Sequence, residues 1–383
     1  MINSLNRLKS ALSQNFINIP GWRSNRKILV IESDDWGSIR MPSNHVYSKF
    51  ISRGFEISDC EYNRLDTIES NDDLTLLYEV LNNYRDFIGN PPVITANMVI
   101  GNPDFQKIRQ SDFEQYYFEP VTETLKRYHK GENVENLWMQ GNSAMLFHPQ
   151  FHGREHVNIV RWMNALKTRT HEIMFTFDYE TTFSGDGDYN FMEVLDYNTP
   201  DDLFRMKESL VEGLNLFEKI FGYRSISFIP PCYTWNSEIE EVLNANGVRY
   251  IQGLVVQSVP TGSFGNYTKK YHFMGNRNNL GQYFMVRNCF FEPSLTKTSD
   301  PVGECLNRIN IAFRWHKPAI ICTHRINFIG SLVEKNRTEN LNLFHELLGR
   351  IVKNWPDVEF MTSDQLGDLI AGEGERREVR DER

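Results

Sequence analysis

From Lys27 to Ser33 the run KILVIES is short, apolar and β-branched, and it ends in a polar cluster. That is the pattern of a buried strand delivering side chains at its C-terminal end. PPVITANMV, ending at Val99, repeats it, and between the two runs Leu74, Leu76, Leu77, Val80 and Leu81 recur at helical spacing from Asp72 to Tyr84. Strand, helix, strand predicts a βαβ unit and a parallel sheet.

The alternation continues along the chain. Thr199 is expected to cap a helix with Pro200 in its first position, Asp201 and Asp202 at its positive end and Gly222 as its stop. SISFI reads as a strand, Ser237 to Asn246 as a helix with a Ser237/Glu240 capping box, and VRYIQ as a strand. PAIICT, a helix from Thr338 to Trp355, the strand VEFMT and a short helix from Ser363 to Ile370 follow. Two stretches break the pattern, residues 41–70 and the Gly/Asn-rich 253–301, and both read as insertions that shape or cover a site. The expected division is an N-terminal amphipathic segment 1–26, one domain over 27–370 containing those insertions, and a charge-dense tail 371–383 expected to be disordered.

Composition narrows the function classes. With 383 residues, 40% hydrophobic and 24% charged, the chain is long enough for a proper core and is neither disordered nor fibrous. A formal charge of -9 gives no general attraction to nucleic acid or to anionic lipid as the main partner, although a local basic patch remains compatible with it. No apolar run approaches the roughly 18 residues of a membrane span. Met1 to Arg26 places Leu5, Leu8, Leu12 and Phe16 at helical spacing without a signal-peptide core, so a cytoplasmic protein is expected. The five cysteines, Cys60, Cys232, Cys289, Cys305 and Cys322, are scattered and support neither a disulfide framework nor a thiolate zinc site.

Three clusters fall at predicted strand ends, where parallel α/β architectures place their chemistry. Glu32-Ser33-Asp34-Asp35-Trp36-Gly37 puts two carboxylates at the end of a buried strand, which is costly unless they bind a cation or are well hydrogen-bonded. HPQFHGREH holds His148, His152 and His156. Ten histidines in this length yield roughly 0.3 chance pairs at i, i+4, whereas this nonapeptide holds two. Two imidazoles and a carboxylate make a three-ligand open metal site. The third cluster is SFIPPCYTWN with the later ICTHRINF, which presents Tyr233, Trp235 and His324.

In this order the clusters resemble the motifs of the NodB-like polysaccharide deacetylases, carbohydrate esterase family 4, over about Lys27 to Ile370. The resemblance implies a distorted, incomplete (β/α) barrel and a metal-dependent hydrolase acting on an N-acetylated saccharide. SDDWG is similar to the first motif, implying Asp34 as general base and Asp35 as metal ligand. HGREH is similar to the His-x-x-x-His motif, implying His152 and His156 as ligands, with His148 as the runner-up. THRINF falls where the family supplies its catalytic acid, implying that role for His324. FIPPCY is similar to the Arg-Pro-Pro-Tyr motif but has Ile229 in place of the arginine, and Trp36 stands between the acid pair and the glycine. Either Arg154 or Arg325 is expected to supply the missing cation, or the base works without one, and a backbone N–H near Tyr233 is the expected oxyanion donor. Trp36, Tyr233, Trp235 and Arg154 are candidate saccharide contacts. The implied cofactor is one divalent ion, zinc first, with cobalt, nickel or iron as alternatives. The substrate is expected to be nucleotide- or lipid-linked, and an O-acetyl esterase, another amidase or a non-catalytic saccharide-binding relative are the competing readings.

Overall fold

The computed structural model describes residues 12–185, 191–296 and 298–372. Nine strands form one sheet: β1 (Lys27–Trp36), β2 (Ile94–Val99), β3 (Phe147–Gly153), β4 (Ser227–Phe228), β5 (Tyr250–Gly253), β6 (Tyr283–Val286), β7 (Cys289–Phe290), β8 (Ala319–His324) and β9 (Val358–Met361). Their order is β6-β5-β4-β3-β2-β1-β8-β7, with β9 paired to the first half of β1, and every ladder is parallel. The intervening helices cover the outside of the sheet, so the architecture is the expected distorted, incomplete (β/α) barrel.

The strands at the two ends of this order are neighbours in sequence. Arg287 N–H donates to Gly253 O (2.9 Å) on β5, and Asn288 N–H donates to Ile320 O (3.3 Å) on β8. One stretch, 283–290, therefore bridges the two edges of the sheet. This corrects the reading of 253–301 as an insertion, because its second half is part of the barrel wall. The turn signals concealed it. The other stretch, 41–70, does lie outside the sheet and contains two short helices, Asn44–Ser52 and Glu61–Leu65.

Period-2 alternation sorts the wall into layers. Ile28 and Val30 of β1 join Tyr250, Met285 and Ile320 in an apolar floor closed by Leu366 and Ile370 of the helix Ser363–Ile370. Leu29 and Ile31 point the other way, into the main core shared with the outer helices. Two residues further up the inward faces the layer turns polar. Asn97 Nδ2 donates to Gln252 Oε1 (2.9 Å), Gln252 Nε2 to Ser227 Oγ (2.9 Å), and Gln150 Oε1 accepts from Ser225 and Ser227. These buried groups partner one another around the ring, which is the condition for keeping them inside a barrel. The site stands on this layer.

The helices follow their sequence signals closely. Asn71–Asn82 and Pro200–Phe221 carry reciprocal capping boxes from Ser70/Asp73 and Thr199/Asp202, and Gly222 ends the second helix at φ 78°. One cap is displaced: Asn236, not Ser237, accepts from Ile239 N and caps the helix Ser237–Ala245. The helix predicted from Thr338 begins at Glu334. Of the N-terminal segment, residues 12–16 are helical, and Leu5 and Leu8 lie outside the described residues, as does the tail from 373. No helix among the described residues is long and apolar enough to cross a membrane.

Candidate metal centre

Successive side chains of a regular strand face opposite sides, so adjacent Asp34 and Asp35 need a break in the strand to serve one site. β1 supplies it. Its pairing with β2 shifts register between Ser33 and Trp36, and Asp35 adopts φ 74°, a left-handed conformation that aspartate tolerates better than most residues. Gly37 follows at φ 81°, where an added Cβ would lie 2.3 Å from Val99 O. Asp34 stays on the inward face of the barrel while Asp35 turns toward the end of β3.

There Asp35 Oδ1 lies 3.4 Å from both His152 Nε2 and His156 Nε2, and all three residues are nearly buried. His152 ends β3 and His156 is in the loop that follows, so the pair is not on a helix. His152 Nδ1 faces Ile229 O at 2.8 Å. A carbonyl oxygen only accepts, so Nδ1 carries a proton and Nε2 is the ring nitrogen turned toward Asp35. Burial pushes the His156 imidazole down to about 3, which keeps it neutral. One carboxylate oxygen and two imidazole nitrogens at this separation are metal-ligand atoms converging on one point. Two ligands held at about 2.0–2.1 Å in tetrahedral geometry stand roughly 3.4 Å apart, so the donor set fits a divalent ion. The other oxygen, Asp35 Oδ2, accepts from Arg40 Nη2 at 3.0 Å. Burial alone would raise the Asp35 carboxyl, but the groups around it, the Arg40 guanidinium first, more than offset it and hold it well below the usual carboxylate range.

On one side of this cluster, Asp34 accepts from Arg287 twice, Nη1 to Oδ2 and Nη2 to Oδ1, both 2.7 Å, and from Asn97 Nδ2 at 2.7 Å. Burial opposes the charge on Asp34, yet Arg287 more than compensates and the carboxyl is held far below its ordinary value. Arg287 Nε also donates to Glu32 Oε2 (2.5 Å), whose other oxygen accepts from Ser363. Burial raises Glu32, whereas the same guanidinium carries Asp34 downward.

On the other side, His324 Nε2 stands 3.8 Å from Asp34 Oδ2, and its Nδ1 is 2.6 Å from Glu292 Oε1. Burial would lower this imidazole, but Glu292, with Asp34 and Asp35 behind it, pushes it up to about 9. Asn327 Nδ2 holds the second Glu292 oxygen at 2.7 Å. Glu292, Cys322 and His324 form a second group with ligand atoms within 4.8 Å of one another. It is the poorer cation site, because Arg287 Nη1 lies 3.2 Å from Cys322 Sγ and burial raises the thiol.

Several sequence expectations are corrected. The cation beside Asp34 is Arg287, from another strand, and neither named replacement stands there. Arg154 pairs with Glu155 (2.6 and 2.8 Å) and Glu212, and it lines a cavity of about 580 Å³ whose walls do not include Asp35, His152, His156 or His324. Arg325 is fully buried against Asp66 (2.9 and 3.1 Å) and Glu69 (3.1 Å), and Asp66 in turn lies 3.5 Å from Arg40, so it supports Asp35 at one remove. Trp36 and Trp235 are core residues with their indole N–H groups bonded to Ser33 and Glu240, and neither can stack on a sugar. Tyr233 points its hydroxyl inward to Arg287 Nη1 (3.2 Å), and its backbone N–H is used by Pro230 O (3.0 Å). His148 bonds Asn142 and Asp364 away from the cluster. Arg287, Glu292 and Arg40 were not anticipated.

No protein-family model matches the sequence, and no curated protein is similar to it. Among solved structures the chain is similar to a protein described as a polysaccharide deacetylase from Mycobacterium smegmatis (10% identity, 92% of this chain and 93% of that one, TM-score 0.42). It is also similar to a 4-alpha-glucanotransferase from Thermococcus litoralis (10%, 89% and 40%, 0.43) and to a CE4 family pseudoenzyme from Bacillus anthracis (8%, 87% and 65%, 0.34). Likenesses this distant include catalysts of different reactions and a non-catalyst, so the chemistry below is argued from this chain's own side chains.

Proposed function

We propose that the protein is a metal-dependent hydrolase that removes the acetyl group from an N-acetylated saccharide. The observation that carries this reading is the convergence of Asp35, His152 and His156 on one point, flanked by an anionic Asp34 and a cationic His324. A divalent ion, zinc first, held by those three residues supplies Lewis-acid polarisation of a carbonyl and acidification of water.

The remaining work falls to the chain itself. Asp34 accepts the proton of the attacking water, and Arg287 and Asn97 fix the carboxylate so that no reorganisation precedes the transfer. With Nδ1–H held by Glu292, His324 presents Nε2–H toward the same space and protonates the departing amine. An ionised carboxylate and a protonated imidazole held apart by their surroundings are an acid–base pair ready at neutral pH. Arg287 at Asp34 supports catalysis over the non-catalytic alternative, whose basis was the missing arginine at position 229.

The test is acetate release from N-acetylglucosamine oligomers, from nucleotide-linked N-acetyl sugars and from O-acetylated sugars, using wild type with added zinc or cobalt and Asp34→Asn. Release from an N-acetyl substrate by wild type alone supports the proposal. Release only from O-acetyl esters makes the protein an esterase, and no release from any substrate removes the hydrolase reading.

A further inference from the structure

The stretch 41–70 delivers one aromatic side chain to the candidate centre. Tyr62, on the helix Glu61–Leu65, stands nearly perpendicular to the His324 ring (centroids 6.0 Å apart, planes at 83°), and the Arg40 guanidinium lies over it, 5.2 Å from the ring centre. Arg40 holds Asp35 and His324 faces Asp34, so the ring is beside both halves of the centre. Its backbone is anchored. Asp66 N–H donates to Tyr62 O (3.2 Å), the Asp66 carboxylate is clamped by Arg325 (2.9 and 3.1 Å), and Asn63 and Leu65 of the same helix are buried.

With Arg40 and His324 against the ring, the hydroxyl is the group Tyr62 has left to offer. The residue is half-buried, and among the described residues its hydroxyl has no hydrogen-bond partner. A phenol withdrawn from water ordinarily finds one. Burial, and then the carboxylates of Asp35 and Glu292, push it well above its ordinary value, so the hydroxyl keeps its proton and donates. One of those carboxylates belongs to the metal cluster and the other holds His324, so the hydroxyl borders the space between them.

We propose, resting on the hydrolase reading above, that the Tyr62 hydroxyl donates a hydrogen bond to the saccharide that carries the departing amine. His324 Nε2 protonates that amine, so the sugar bearing it lies against His324, where Tyr62 supplies an unused donor. The saccharide contact expected of Trp36 and Trp235, which the core withholds, thus comes from the stretch 41–70 as a polar donor.

The test compares the zinc-loaded full chain with Tyr62→Phe, using N-acetylglucosamine oligomers and UDP-N-acetylglucosamine. Calorimetry in an Asp34→Asn background reads binding, and acetate release reads KM and kcat. Tyr62→Phe removes only the hydroxyl, so zinc content and melting temperature are expected to stay as in wild type. Affinity for the saccharide is expected to fall about three- to tenfold, with KM raised to match and kcat nearly unchanged, as for loss of one neutral hydrogen bond made in both ground and transition states. Unchanged affinity and KM overturn the proposal, as does a fall in kcat alone, which would make Tyr62 act through His324. Wild type that binds neither saccharide also overturns it. Weaker binding in Tyr62→Phe without acetate release by wild type removes the hydrolase reading and keeps the saccharide contact, whereas acetate release indifferent to Tyr62→Phe does the reverse.

Discussion

Arg287 and Asp34 are 253 positions apart and are joined by two parallel 2.7 Å hydrogen bonds inside the barrel. The guanidinium arrives on the stretch that bridges the two edges of the sheet, so the same residues complete the wall and fix the carboxylate. Wall closure and preparation of the base are one structural event.

Arg287→Ala leaves Asp34 and Glu32 buried without their cation, and the loss of one partner from such a group costs about 3–5 kcal/mol. A melting curve is expected to show it. Arg287→Lys restores charge without the planar two-point contact. It is expected to recover most of the stability while kcat stays roughly 10- to 100-fold low through misorientation of Asp34. Recovery of kcat along with stability would reduce Arg287 to a structural cation.

His324 owes its elevated pKa to Glu292, and the sign of the consequence is definite. A group raised above its unfolded value stabilises the fold fully below about pH 6.5 and loses that contribution as pH rises through about 9. Activity that needs the cationic imidazole falls over the same upper range. Glu292→Gln is expected to move the alkaline limb of the pH–rate profile downward by about a unit or more. An unmoved limb would show that His324 is not the acid.

Metal content separates the imidazoles. His152→Ala and His156→Ala are expected to lose stoichiometric metal, measured by mass spectrometry, because each removes one of three protein ligands. His148→Ala is expected to retain it, since that ring is bonded to Asn142 and Asp364. Asp34→Asn keeps metal and loses most of the rate. Metal loss in that variant would exchange the roles of the two aspartates.

Trp36 and Arg325 are expected to behave as structural residues. Trp36 packs edge-on against Phe147 with ring centroids 5.0 Å apart and has no exposed surface, so Trp36→Ala costs about 3–5 kcal/mol and leaves KM of the residual folded enzyme unchanged. Arg325→Ala strands Asp66 and Glu69 and costs a similar amount. A rise in KM for Trp36→Ala without a fall in melting temperature would return it to the saccharide-binding surface.

What the sequence made legible was local. Helix caps, apolar strands and the His152/His156 spacing are written in neighbouring residues, and so were the elements that carry Asp34, Asp35 and His324. Arg287 and Glu292 escaped because their roles depend on which strands end up adjacent, a property of ring closure that no short window contains. The run YFMVRNCFFE has strand character interrupted by a charge, and that charge was the available signal: a lone arginine in an apolar run implies a buried acid to receive it. The aromatic candidates failed for the converse reason. Trp36 follows Asp35 in sequence, but the bulge of β1 sends it outward into the core, and Trp235, after the turn 231–233, is buried in the same core.

The central claim is that one cation is held by Asp35, His152 and His156, and anomalous diffraction from crystals soaked in zinc, recorded above and below the zinc edge, tests it most directly. A single peak within about 2.2 Å of Nε2 of both histidines and a carboxylate oxygen of Asp35 is predicted. A peak beside Glu292, Cys322 and His324 instead, or no peak at either place, would contradict the account.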